Sequence, residues 1–134
     1  MDALYPRLLV RDFDTAVAFY TGVLRELVGV EPVRVVPQAS YANWDVNGEA
    51  ALALFSRKAI AAAVGTADLP DGPVTRDSSM LVLRVDDVDR AVECFTRHGA
   101  VLVAKPQERP EWGPGLRTAH LRDPEDNLVE LQSY

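Results

Sequence analysis

Apolar positions along the chain switch between a period of two and a period of three to four, the spacings of strands and helices. Leu8–Val10 is a short apolar run that predicts a strand. An Asp-rich turn follows. Ala16, Val17, Phe19, Tyr20, Val23 and Leu24 then recur at helical spacing, ending near Gly29. Three strand-like segments come next: Val33–Val36, Tyr41–Val46 and Ala50–Phe55. Asn47-Gly48 joins the last two as a hairpin turn. Lys58–Val64 is Ala-rich and predicts one short helix, and Leu69-Pro70-Asp71-Gly72-Pro73 reads as a linker. Beyond it the order returns. Leu81–Val85 predicts a strand, and Val88, Ala91, Val92 and Phe95 lie on one helix face that stops at Gly99. Strands follow at Ala100–Ala104, Leu116–Leu121 and Leu128–Gln132, with a turn at Asp123–Asn127. Asp12 or Asp14, and Asp87 in the second half, are the candidate N-caps, since a carboxylate accepts the free N–H groups of a first helical turn.

That return of order is an internal repeat. Shifted by 75 residues, positions 8–20 match six identities in 13, at Leu8, Val10, Asp12, Asp14, Ala16 and Val17. Near a shift of 76, Ala51–Phe55 falls on Asn127–Leu131. Two β-α-β-β-β modules are expected, at about 3–56 and 79–134, joined by residues 57–78 into one α+β domain of eight strands. The 76-residue alignment also places Trp44 opposite His120, so both are expected to point the same way.

Composition narrows the function classes. The chain has 134 residues and a formal charge of −6, from 20 Asp+Glu against 14 Lys+Arg, with no basic run. Nucleic-acid and anionic-membrane binders need a positive footprint, so neither partner is expected. The acidic balance is mildly compatible with a cationic ligand. One cysteine, Cys94, excludes an internal disulfide and any CxxC motif, and its mid-helix position suits a small buried hydrophobe. The longest apolar runs have six residues, far short of the roughly 20 needed to span a bilayer. With no signal-peptide pattern, a cytoplasmic location is expected. His98 and His120 are the two histidines.

The paired modules, together with Val10-Arg11-Asp12-Phe13, Val85-Asp86-Asp87-Val88-Asp89-Arg90-Ala91-Val92 and Leu121-Arg122-Asp123-Pro124-Glu125-Asp126-Asn127-Leu128-Val129-Glu130-Leu131, resemble the vicinal-oxygen-chelate superfamily, the glyoxalase / bleomycin-resistance / extradiol-dioxygenase group. The likeness spans essentially the whole chain. It implies an eight-stranded open cup built from two βαβββ modules, a small-molecule site on the concave face, and a homodimer. Metal enzymes of the group carry ligands on the first and last strand of each module. By the same motif those positions fall here on Tyr5, Leu54, Met80 and Glu130. Only Glu130 is a good ligand, and a site of this kind needs about three. No metal or other cofactor is therefore expected, a divalent metal being the alternative.

Candidate site residues follow from this likeness and from strand alternation. Leu128, Glu130 and Gln132 share one strand face, and Val129 and Leu131 the other. Val129 and Leu131 suit packing under the helices, which turns Glu130 into the cup as a base or as a partner for a cationic group. Trp112 lies in Trp112-Gly113-Pro114-Gly115, which resembles the Trp-Gly loop of drug-binding members, where an indole stacks on a planar or cationic ligand. Trp44 is either core or cup wall, and His120 either a satisfied strand histidine or a cup residue. Tyr5 and Met80 are expected to fill the space a metal would occupy and to touch a ligand apolarly. Arg117 is expected to pair with an acid at the surface. The leading expectation is a metal-free cup that sequesters a small organic molecule, an antibiotic among them, through Trp112, Trp44, Tyr5, Met80, His120 and Glu130. The alternatives are a glyoxalase-like lyase or isomerase or a dioxygenase using Glu130, and a non-catalytic dimeric structural or regulatory protein.

Overall fold

A computed structural model describes residues 3–72 and 76–134. The chain divides into two compact units, Met1–Gly72 and Pro73–Tyr134. Pro73, the last residue of the expected linker, lies outside the described residues.

The first unit runs β1 (Arg7–Val10), α1 (Phe13–Val28), β2 (Arg34–Val36), β3 (Tyr41–Val46), β4 (Glu49–Ser56) and α2 (Arg57–Val64), with a short 3-10 turn at Pro37–Ala39 before β3. Its sheet has the order β1-β4-β3-β2, with β1 parallel to β4 and the other pairs antiparallel. Asp12 caps α1, accepting from the Thr15 N–H at 3.1 Å and the Thr15 hydroxyl at 2.8 Å. Gly29 ends the helix at φ 75°, a left-handed conformation that costs glycine least. The helix buries Ala16, Phe19, Tyr20, Val23 and Leu24. Each large apolar side chain so buried contributes about 1.5–3 kcal/mol before its entropy cost. Asn47 and Gly48 both have positive φ (54° and 80°), the geometry of the type I′ hairpin expected there. Ser56 caps α2 by accepting from the Ala59 N–H at 3.0 Å.

The second unit repeats the plan as β5 (Leu81–Arg84), α3 (Val88–Arg97), β6 (Val101–Glu108), β7 (Arg117–Arg122) and β8 (Leu128–Ser133). Its sheet order is β5-β8-β7-β6, again with one parallel pair, β5 with β8. Asp87 caps α3 through the Arg90 N–H at 3.1 Å. Strand β6 is longer than the expected Ala100–Ala104. Lys105, Pro106, Gln107 and Glu108 extend it on the sheet's edge, where a proline ring costs no ladder bond. Its pairing with β7 shifts twice, between Leu102 and Ala104 and again before Gln107, which hides a clean alternation in the sequence.

The Arg122–Asn127 block proves to be turn machinery. Asp123, 3% exposed, accepts from the backbone N–H groups of Glu125 (2.9 Å) and Asn127 (2.8 Å) and from the Asn127 side-chain amide (2.9 Å). Arg122 grips Asp77 with two bonds, at 2.5 and 2.8 Å, and donates to the Asp126 carbonyl at 3.1 Å. Those bonds hold the Asp77 carboxyl below its ordinary pKa.

Strand pairing corrects the repeat register. Leu8 lies beside Leu54, and its counterpart Leu83 beside Leu131. Leu54 faces Ala42 across the ladder, and Leu131 faces Ala119. The last two strands of each module therefore correspond at a shift of 77, not 76. A slip of one residue moves every side chain to the opposite face. His120 corresponds to Asn43, Trp44 to Leu121, and Glu130 to Ala53.

Candidate functional site

The two faces of the second sheet differ in chemistry. Arg117 pairs through two bonds, 2.9 and 3.0 Å, with Asp89 on α3, and donates to Glu108 at 3.0 Å. Arg117 thus marks the face covered by the helix, which its alternates Ala119 and Leu121 share, together with their ladder partners Leu131 and Val129. All four are fully buried. The opposite face carries Thr118 and His120 from β7 and Glu130 and Gln132 from β8. It is the polar face of this unit.

His120 and Glu130 are direct partners in the β7–β8 ladder. Their side chains meet at 2.8 Å, His120 Nε2 to Glu130 Oε2, and are 12% and 11% exposed. With Glu130 as a carboxylate, which only accepts, Nε2 is the donor, and in a neutral imidazole Nδ1 is then an acceptor. Among the described residues neither Nδ1 nor the second carboxylate oxygen has a protein partner, and neither is sealed from solvent.

The loop between β6 and β7 folds over this pair. Trp112 and Gly113 donate their backbone N–H groups to the Arg109 carbonyl, at 3.0 and 3.3 Å, and Leu116 donates to the Gly113 carbonyl at 3.3 Å. Gly115 takes φ 71°, a left-handed conformation that costs glycine least. The turn brings the Trp112 ring to 6.2 Å from the His120 ring, edge to face. The Arg109 guanidinium sits over the indole with Cζ at 4.4 Å from its centroid, and its Nε reaches the Thr118 hydroxyl at 3.3 Å. Thr118 is fully buried, yet Trp112 remains 54% exposed. The result is an indole clamped from behind by a cation, with its remaining surface open beside an imidazole–carboxylate pair.

Arg109 is absent from the residues expected from the sequence. Its position, three residues before Trp112, was the available signal, because a tight turn brings such residues together.

The other expected residues are placed as follows. Trp44 is not the counterpart of His120 in its own module. It is fully buried, its ring 6.4 Å from that of Tyr20 on α1, so it belongs to the helix-side core of the first unit. The one-residue slip in register is the reason. Tyr5 is half-buried, just ahead of β1. Met80 is 41% exposed, just ahead of β5 and two residues from Val82, the ladder partner of Glu130. Leu54 is likewise a helix-side core residue, and Ala53 takes the place opposite Arg7 that corresponds to Glu130.

The sequence profile of the Glyoxalase/Bleomycin resistance protein/Dioxygenase superfamily matches residues 4–131. The chain belongs to that superfamily. It is 34% identical over 131 residues to the protein YraH of Bacillus subtilis (strain 168), covering 98% of this chain and 97% of that one. Among solved structures, a glyoxalase/bleomycin resistance protein/dioxygenase family enzyme from Burkholderia phytofirmans PsJN superposes with a TM-score of 0.78 at 22% identity, over 99% of this chain and 98% of that one. TioX from Micromonospora sp. ML1 superposes with a TM-score of 0.65, also at 22% identity and the same coverage. The α+β fold of paired βαβββ modules is therefore the glyoxalase fold. No helix among the described residues is long and apolar enough to cross a membrane.

Two of the four residues at the metal-ligand positions of the glyoxalase pattern offer no donor suited to such a metal. With the register corrected, the four are Tyr5, Ala53, Met80 and Glu130. Alanine has no donor atom, and a thioether is too soft for the hard or borderline divalent ions. His120 offers a nitrogen beside Glu130. Among the described residues, however, no third His, Cys, Asp or Glu joins that pair in a group with ligand atoms within 4.8 Å of one another. By itself this pair, already bonded to each other, is fewer than the roughly three protein ligands such a site requires.

Proposed function

We propose that this glyoxalase-superfamily chain binds a small planar organic molecule, of the size of an antibiotic, on the Trp112 face of its second module and sequesters it without a metal. One observation carries the reading: an indole more than half exposed, held rigidly by its own loop and by Arg109, beside polar groups with unused hydrogen-bonding capacity. A large rigid ring contributes contact area at low entropic cost, and the neighbouring polar atoms fix orientation. The same reading takes the binder as a homodimer, because an open sheet face buries less than the roughly 70–90% of ligand surface a pocket covers, and a second copy supplies a wall.

The test is a titration of the protein with planar aromatic antibiotics, followed by tryptophan fluorescence, in wild type and Trp112→Ala. Saturable quenching that disappears in the variant supports the proposal. Quenching that survives the substitution contradicts it, and so does one equivalent of tightly held metal in protein purified without chelator.

A second reading draws on the His120–Glu130 pair. A carboxylate that orients an imidazole and leaves its other nitrogen accessible is a general-base arrangement, as a lyase or isomerase would need. Glu130→Gln separates the two readings. Sequestration survives it, whereas turnover of a hydroxy- or keto-thioester falls by orders of magnitude. A chain that neither binds nor turns over any of these compounds is a structural or regulatory member instead.

A further inference from the structure

The Trp112 face holds a cation, Arg109, whose one carboxylate neighbour among the described residues lies beyond hydrogen-bond distance. Arg57, Arg109, Arg117 and Arg122 all have side chains less than a third exposed, and Arg109 is the most buried of them at 21%. The other three each hydrogen-bond a carboxylate, at 2.8 Å (Arg57 to Asp71), 2.9 Å (Arg117 to Asp89) and 2.5 Å (Arg122 to Asp77). Arg109 does not. It uses Nε on the neutral Thr118 hydroxyl, and its nearest carboxylate, Glu111, stands 4.0 Å from Nη1 on a side chain 57% exposed. Glu130, the carboxylate within the site, is engaged by His120. A guanidinium carries five N–H donors. The Nη donors of Arg109 therefore have no hydrogen-bond partner among the described residues.

We propose that this site selects ligands whose aromatic ring bears an oxyanion, and that Arg109 is the residue that reads it. The inference rests on the Trp112 binding surface set out above and adds the ligand's charge. Stacking under the indole fixes the guanidinium, so its fork is set before a ligand arrives and loses little rotamer freedom on binding. Hydrogen bonds between a guanidinium and an oxyanion are about twice as strong as neutral ones, and partial burial screens them less than at an open surface.

Three probes of one shape separate the charges: naphthoate, naphthamide and naphthylmethylammonium, each titrated by calorimetry. Naphthoate is expected to bind the wild-type protein about tenfold more tightly than naphthamide, with the ammonium weakest. Arg109→Gln brings naphthoate down to the level of naphthamide, while Arg109→Lys keeps part of the preference. Glu111→Gln leaves the preference in place or enlarges it. Should Arg109→Gln not fold, the wild-type preference for naphthoate must still shrink as salt is raised. Equal binding of the three probes, or a preference for the ammonium, overturns the assignment of Arg109 and leaves the Trp112 surface standing. If none of the three binds, the stacking surface falls as well.

Discussion

Trp44 gives the sharpest test of the corrected register. It is fully buried against Tyr20 of α1, and its Nε1 is the buried side-chain atom without a hydrogen-bond partner among the described residues. Replacing it by Ala empties an indole-sized volume, at a cost of roughly 3–5 kcal/mol. Replacing it by Phe is a different perturbation. The smaller ring loses about 1–2 kcal/mol of packing. It also removes an orphaned donor whose burial costs about 1–3 kcal/mol. These terms oppose each other, so Trp44→Phe is expected to lie within about 1 kcal/mol of wild type. Urea unfolding followed by far-UV circular dichroism reads both variants without relying on tryptophan emission. Neither substitution should change probe affinity in the folded protein. A Trp44→Phe variant as unstable as Trp44→Ala refutes the orphaned donor. Loss of binding with stability intact refutes the core placement and restores Trp44 to the site.

The remaining predictions test the turn machinery and the ion pairs. Asp123→Ala strips three acceptor contacts from a buried turn and is expected to cost about 2–3 kcal/mol in urea unfolding, with probe affinity unchanged at saturating fold; weakened binding in folded protein would give the block a ligand role. Asp87→Ala removes the α3 N-cap and should lower stability by about 1 kcal/mol. Asp89 is held below its ordinary carboxylate pKa of 3.8, chiefly by hydrogen bonds from Arg117. Its contribution is accordingly present above that value and lost as pH falls through the folded pKa. Wild type should exceed Asp89→Asn in stability near neutral pH and converge with it in acid, as pH falls through the folded pKa; a gap that persists after that titration excludes the ion pair as its source.

Most of the fold was legible because its signals are local. Asp12 and Asp87 act as caps, Gly29 as a stop and Asn47-Gly48 as a hairpin, each through interactions within a few residues. Register was the least legible feature, since it is fixed by ladder partners far along the chain. The conflict between a 75-residue and a 76-residue shift was its only trace, and the true offset at the sheet centre is 77. That difference moved Trp44 into the core. It left Glu130 unaffected, because alternation within β8 alone placed that residue opposite Val129 and Leu131. Arg109 escaped notice because arginine is common at surfaces. Its distinction is a guanidinium with no carboxylate within hydrogen-bond distance among the described residues, and only its spacing from Trp112 hinted at it. The Arg122–Asn127 block identified the family, yet its side chains build a turn.

The two indole N–H signals of the chain provide the most direct measurement of the central claim. The protein has two tryptophans, one sealed in the first unit and one open on the second. In a nitrogen–proton correlation spectrum, assigned with Trp44→Phe and Trp112→Phe, titration with naphthoate is predicted to move the Trp112 signal and leave that of Trp44 in place. Movement of the Trp44 signal alone, or of neither at saturating probe, contradicts the account.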